Sequence, residues 1–283
     1  MSEHFGFRAG KRPPPAADMP VYSLITIVRN AAGTLERTLE SVARQTYPAL
    51  EYIVVDAGST DGTVELLRRH EDIISYWCSE PDAGAADGAN KGVLKATGRY
   101  IGFVYADDWL PDDFVEQTVA SFARTGADFV FGDMNFHKDG EFLFKLPGDP
   151  DYRRKMSYRG PVMNFPSLSA TADVYKKVGL YDLAYKVSPD YDWLFRVHRG
   201  GCEGAYDPLI GYDFRIGGNS TLNNITGYVE NAQSNIRHGG KPVPIWAFAA
   251  LKIAFHTFDD WLRDHVSART YVRIRNIRKA ITG

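Results

Sequence analysis

From residue 21 onward the sequence alternates short unbroken apolar runs with longer stretches in which apolar residues return every three or four positions. Residues 21–28, 52–55, 74–78, 100–105 and 128–133 are the runs. Their brevity and continuity fit strands covered on both faces. Between the first two, Leu35, Leu39, Val42 and Ala43 recur at helical spacing. Residues 62–70, 85–96 and 111–124 read as helices in the same way. Oxygens of Ser59, Thr60 and Asp61 are placed to cap the first of these three, and Pro111 fits the opening position of the last. Strand and helix in strict alternation imply a mostly parallel α/β sheet of nucleotide-binding, Rossmann-like type.

That rhythm ends after residue 133. Asp139-Gly140 between apolar runs predicts a hairpin over residues 135–146. Beyond it the pattern is mixed, with one clear helix at 191–199. Two more helices are expected at the end: an aromatic-rich one near 245–262 and a basic one near 269–279. The expected organisation is a flexible lead-in (1–19), a main domain (20–225, divided at 133/134) and a helical appendage (226–283).

Composition narrows the function classes. With 44% hydrophobic and 24% charged residues the chain is an ordinary globular one. A formal net charge of -2 gives no global attraction to nucleic acid. Two cysteines, Cys78 and Cys202, without metal-ligand spacing suggest reduced packing thiols and a cytoplasmic setting. The first twenty residues lack the apolar run of a secretion signal. Lys252, His256, Asp259 and Asp260 interrupt the best candidate for a spanning helix. Histidines 137, 198, 238 and 256 share no ligand spacing.

Candidate chemistry gathers where the early strands end, the edge at which open parallel sheets bind ligands. Asp107 and Asp108 follow a strand and could hold a hard divalent cation, or could cap the next helix. Asp56 follows another strand in VDAGSTDGT, where its carboxylate could accept from a base or ribose. In SEPDAGAADGANKG, Asp82 and Asp87 suit a helix N-terminus, and Lys91 either belongs to that helix face or reaches a phosphate. Asp192 and Arg196 stand i, i+4 on one helix, positioned for an ion pair. Residues 215–220, ending Gly217-Gly218-Asn219-Ser220, could form a closing loop or a plain turn. The terminal basic residues Arg269, Arg273, Arg275, Arg278 and Lys279 alternate with apolar ones. Such a helix could lie on an anionic membrane or pack against protein.

The ordered set TIVRN, QTYPALEYIVVDAGSTDGT, EPDAGAADGANKG, GRYIGFVYADD and PDYDWLFR resembles the family 2 glycosyltransferases. The resemblance implies the GT-A fold and inverting transfer of a sugar from a nucleotide diphosphate, most often uridine-based, to an acceptor hydroxyl. Mn²⁺ or Mg²⁺ would be the cofactor, held by Asp108, with Asp107 orienting the sugar or ribose. Thr26, Val28, Asn30, Asp56, Asp82 and Lys91 would line the donor site. Asp190 would be the general base, with Asp192 the alternative. The acceptor would be a saccharide or lipid-linked saccharide in bacterial-type polysaccharide or glycolipid synthesis, with the protein cytoplasmic or peripheral at the inner face of the cell membrane. Ala106 stands where many relatives carry an Asp, and Pro189 where Glu is common. Two other readings compete: an inactive homologue that only binds saccharide or membrane, and a sugar nucleotidyltransferase. The latter would normally carry a denser Gly-rich phosphate loop than TIVRNAAGT. Oligomeric state cannot be read from these residues.

Overall fold

The computed structural model describes residues 3–5, 18–159, 163–217 and 224–265. The chain divides into two compact units, Met1–Asn223 and Asn224–Gly283.

A nine-stranded sheet forms the first unit. Its centre is four parallel strands in the order β4 (Tyr76–Ser79), β3 (Leu50–Asp56), β2 (Tyr22–Val28), β5 (Tyr100–Phe103). Alternate side chains of β2 and β3 feed two cores. Leu24, Val28, Tyr52 and Val54 pack with α1 (Leu35–Ala43), α2 (Thr63–Arg69) and α4 (Phe114–Thr125). Ile25, Ile53 and Val55 pack with α3 (Ala85–Lys95), α6 (Ala172–Val178) and α7 (Pro189–Arg199). Burial on both faces is why these strands read as unbroken apolar runs. Cys78 and Cys202 are buried thiols.

Past β5 the sheet turns antiparallel. Strand β8 (Ser169–Thr171) joins β5 to the long β6 (Phe129–Lys138), which also pairs with β7 (Glu141–Leu146) and, in parallel, with β9 (Gly204–Arg215). The β6–β7 hairpin closes through Asp139 and Gly140 at φ 51° and 86°. Two successive left-handed residues are what a tight hairpin turn requires.

Several boundaries differ from the sequence reading. Residues 1–19 are not wholly a lead-in, because β1 (Glu3–Phe5) adds antiparallel to the edge strand β4. Pro111 lies outside α4. It belongs to a preceding turn in which its carbonyl accepts from Phe114 N–H, and the Val115 N–H is met by Gln45 Oε1 at 3.1 Å. Strand β5 stops at Phe103, so Asp107-Asp108 sits on a turn rather than at the strand's last residue. In the second unit, α8 (Asn224–Arg237) packs with α9 (Pro242–His265). The expected basic helix at 269–279 lies outside the described residues. Among those described, no helix is long and apolar enough to cross a membrane.

Candidate active site

The carboxyl ends of β2 and β3 meet in one hydrogen-bonded assembly. Asn30 takes the left-handed conformation (φ 50°), donates its N–H to Ser59 Oγ at 2.7 Å and accepts from the Thr60 N–H at 2.9 Å. Asp61 accepts from the Ala32 N–H and from both donors of Thr63. The Thr63 hydroxyl holds the Asp61 carboxyl below its ordinary range. Beneath them Asp56 is fully buried, accepting from Ser59 N–H at 2.9 Å and from the hydroxyls of Ser59 and Ser79, each at 2.5 Å. The pattern that left Asp56 with only a ligand role therefore had a structural answer: it ties two loops together.

The resemblance assigns the backbone of residues 26–29 to the donor pocket, and the side chains of Thr26 and Val28 turn inward from it. Thr26 is fully buried, its hydroxyl between Tyr52 Oη and the Val104 carbonyl, and Val28 packs in the core. The Val28 carbonyl already accepts from Ala57 N–H. Strand alternation turns both residues inward, which a list of positions near a strand end does not reveal.

Half-buried Asp82 accepts from Gly84 N–H at 2.9 Å at the start of α3. Lys91 lies 2.8 Å from Glu80 and 3.6 Å from Asp87. Partial burial opposes its charge, but the Glu80 hydrogen bond and the charges of Asp87, Glu80 and Asp82 leave it held above its ordinary value. Lys91 thus pairs with one acid of its own helix, Asp87, and with Glu80 on the loop before it.

The turn after β5 is different. Asp108 is 1% exposed, its Oδ2 accepting from Tyr212 Oη and its Oδ1 from the Arg215 N–H, both at 2.8 Å. Tyr212 Oη in turn accepts from Tyr105 N–H at 3.1 Å. Burial pushes the Asp108 carboxyl up to about 8, and the Asp107 charge adds to that, against the pull of the Arg215 amide and Tyr212. Half-buried Asp107 is also raised by burial, partly offset by its own backbone amide and the Arg215 guanidinium. With Asp108 enclosed and both its oxygens engaged, Asp107 is the more accessible of the pair; the resemblance gave the ion to Asp108 and the sugar or ribose to Asp107.

Across from this turn, Pro189 and Asp190 open α7 behind Ser188. The buried Tyr105 phenol is pushed well up by burial first, then by the charges of Asp190 and Asp108; the Asp190 charge also reaches Tyr181. Both carboxylates therefore lie within Coulombic reach of one phenol. Asp192, one helical step further, is 1% exposed and bonded to Arg196 Nε at 2.9 Å. That guanidinium also donates to the carbonyls of Val178 and Leu180. The i, i+4 pair exists as the spacing implied, and it locks α7 to the end of α6.

Three residues of this neighbourhood were not selected from the sequence: Tyr105, Tyr212 and the backbone of Arg215. Tyr105 was absorbed into an apolar run, and the other two lie more than a hundred residues from Asp108. Of the segment 215–220, only Arg215 to Gly217 is described. The described residues contain no cluster of three or more His, Cys, Asp or Glu arranged to hold a metal.

Comparison with known proteins gives this geometry a context. Residues 23–177 match the family model described as "Glycosyl transferase family 2". The chain belongs to that family. It is 33% identical over 181 residues to the uncharacterized glycosyltransferase Rv1514c of Mycobacterium tuberculosis, covering 62% of this chain and 68% of the relative. It is 30% identical over 184 residues to a PGL/p-HBAD biosynthesis glycosyltransferase of Mycobacterium bovis, covering 62% and 69%. Among solved structures, the mannosyltransferase PcManGT of Pyrobaculum calidifontis, in complex with GDP-Man and Mn²⁺, superposes with a TM-score of 0.63 at 19% identity. It covers 97% of this chain and 84% of its own. TarS 1-349 of S. aureus with UDP-GlcNAc gives 0.60 at 14%, covering 80% and 69%. These likenesses show the fold, which is GT-A. In this family 2 chain, the Asp107-Asp108 turn follows β5 and Asp190 lies in the first turn of α7.

Proposed function

We propose that the chain transfers a sugar from a nucleoside diphosphate donor to an acceptor hydroxyl by a single inverting displacement. The observation that carries this reading is the turn after β5, where Asp107 stands beside a buried Asp108 that is tied to Tyr212 and to the Arg215 amide of β9; the charges of Asp108 and Asp190 both act on Tyr105. UDP-GlcNAc in TarS and GDP-Man in the mannosyltransferase support a nucleotide-sugar donor, and a uridine nucleotide is the first to test.

Two adjacent carboxyls raised by burial, with Arg215 as the nearby cation, suit a divalent ion. Asp107 would hold Mn²⁺ or Mg²⁺, with Asp108 behind it fixing the turn to β9. When bound, such an ion acts as a Lewis acid toward the diphosphate. Arg215 adds positive charge on the same side. Asp190 takes the proton of the acceptor hydroxyl as its oxygen attacks the anomeric carbon. The bond from that carbon to the phosphate oxygen breaks, and its electron pair leaves with the nucleoside diphosphate. Asp190 is preferred to Asp192 as the base because the latter is buried in its pair with Arg196. Asp56, Asn30 and Ser59 shape the donor side by holding two loops together.

The test is a screen of nucleotide sugars for Mn²⁺-dependent thermal stabilisation, followed by donor hydrolysis and transfer with saccharide and lipid-linked acceptors. Stabilisation by a nucleoside diphosphate sugar and its slow hydrolysis are expected. Binding without any turnover would leave the inactive-homologue reading in its place.

A further inference from the structure

Helix α9 is unusual in its composition. Between Val243 and Phe258 only Lys252, His256 and Thr257 are polar. Yet only a narrow stripe, Ile245, Ala249, Ile253 and His256, is withdrawn from solvent. The rest of the circumference is open: Val243 is 80% exposed, Leu251 62%, Phe248 46% and Trp246 41%. Ala247, Ala250 and Ala254 are exposed among them. A helix apolar on nearly every side belongs in a core or in lipid, and an apolar patch of this kind marks a place of contact.

Charge selects the occupant. Residues 224–283 hold nine Lys and Arg against four Asp and Glu, a formal +5, in a chain whose total is -2. Residues 266–283 contribute five of those cations and no acid. An apolar protein groove would account for the exposed face but not for the charge; an anionic bilayer takes both. Insertion of an apolar face and attraction of basic residues to headgroups are also the two signals that together give stable peripheral binding. We propose that α9 lies in the plane of an anionic lipid surface. Trp246, Phe248 and Leu251 enter the acyl boundary, and the net positive charge that the sequence carries over residues 224–283 draws the unit to the anionic surface. This inference stands apart from the catalytic reading, since it uses none of the same residues.

The experiment is co-sedimentation of the full chain with vesicles of phosphatidylcholine, with or without phosphatidylglycerol. Binding is expected to the phosphatidylglycerol vesicles, with a blue shift in tryptophan emission that Trp246→Phe removes. The double variant Trp246→Glu/Leu251→Glu should bind at least about tenfold more weakly. Raising salt from about 0.1 to about 0.5 M should also weaken binding. Because those side chains are exposed, melting temperature and nucleotide-sugar binding should not move; the milder Leu251→Ser serves if the double variant misfolds. Equal binding of wild type and variants, or equal binding to both vesicle types, overturns the proposal. So does a lipid-free dimer that the same substitutions dissociate, which would give the face to a second copy. Loss of donor turnover with intact vesicle binding would sink the catalytic proposal alone.

Discussion

The two sides of the sheet edge handle their acids in opposite ways. On the β2–β3 side, Asp56 and Asp61 accept six hydrogen bonds from Ser59, Ser79, Thr63 and Ala32 among them, and the loops are fixed by those bonds. On the β5–β9–α7 side, Asp107 and Asp108 are desolvated and held above their usual range, and the Asp190 charge lies near by. Carboxylates answered by the protein's own donors build structure; those left short of compensation are where a cation or a proton has work to do.

Five measurements bear on that contrast. The largest effect is expected from Asp190→Asn, a loss of about 10²–10⁴ in kcat with KM for the donor little changed. Unchanged transfer would move the proton-accepting role elsewhere. Next, Asp192→Asn should cost about 2–4 kcal/mol of stability, discounted for the partly exposed Arg196, while the folded fraction keeps its activity. Denaturant melts alongside kinetics separate the two. Asp56→Ala should cost about 2–3 kcal/mol, because three buried donors lose their acceptor. A variant that melts normally but fails to bind donor would place Asp56 with the ligand-facing acids instead.

The fourth is a pH effect. The Asp108 carboxyl ionises near pH 4 unfolded and near pH 8 folded, so the folded state holds an extra proton between those values. Stability should therefore be greatest at the acid end of that window and fall as pH rises toward 8. In chelator-treated protein Asp108→Asn should flatten this slope, and a melting profile that stays steep would assign it to other groups. The smallest effect is reserved for Lys91→Met. Paired with Glu80 and Asp87, this lysine should change donor KM by less than about twofold, whereas loss of a direct phosphate contact would cost about tenfold or more.

Much of the architecture was legible because its causes are local. Unbroken apolar runs gave the parallel strands, Asp139-Gly140 gave the hairpin, and a four-residue spacing gave the Asp192–Arg196 pair. What escaped depended on partners distant in sequence. Tyr212 and the Arg215 amide reach Asp108 only because β9 returns beside the turn through its bridge to Trp109. Thr26 and Val28 turn their side chains into the core, a direction set by packing across the sheet rather than by neighbours in sequence. Pro111 satisfied the rule for a helix start, and Gln45, from another helix, displaced that start by capping Val115.

The last of those long-range links has a mechanical meaning. Asp108 is fastened through one oxygen to the amide at the tip of β9 and through the other to a phenol that also holds Tyr105. A change in the charge on that single carboxyl alters the strength of both attachments at once.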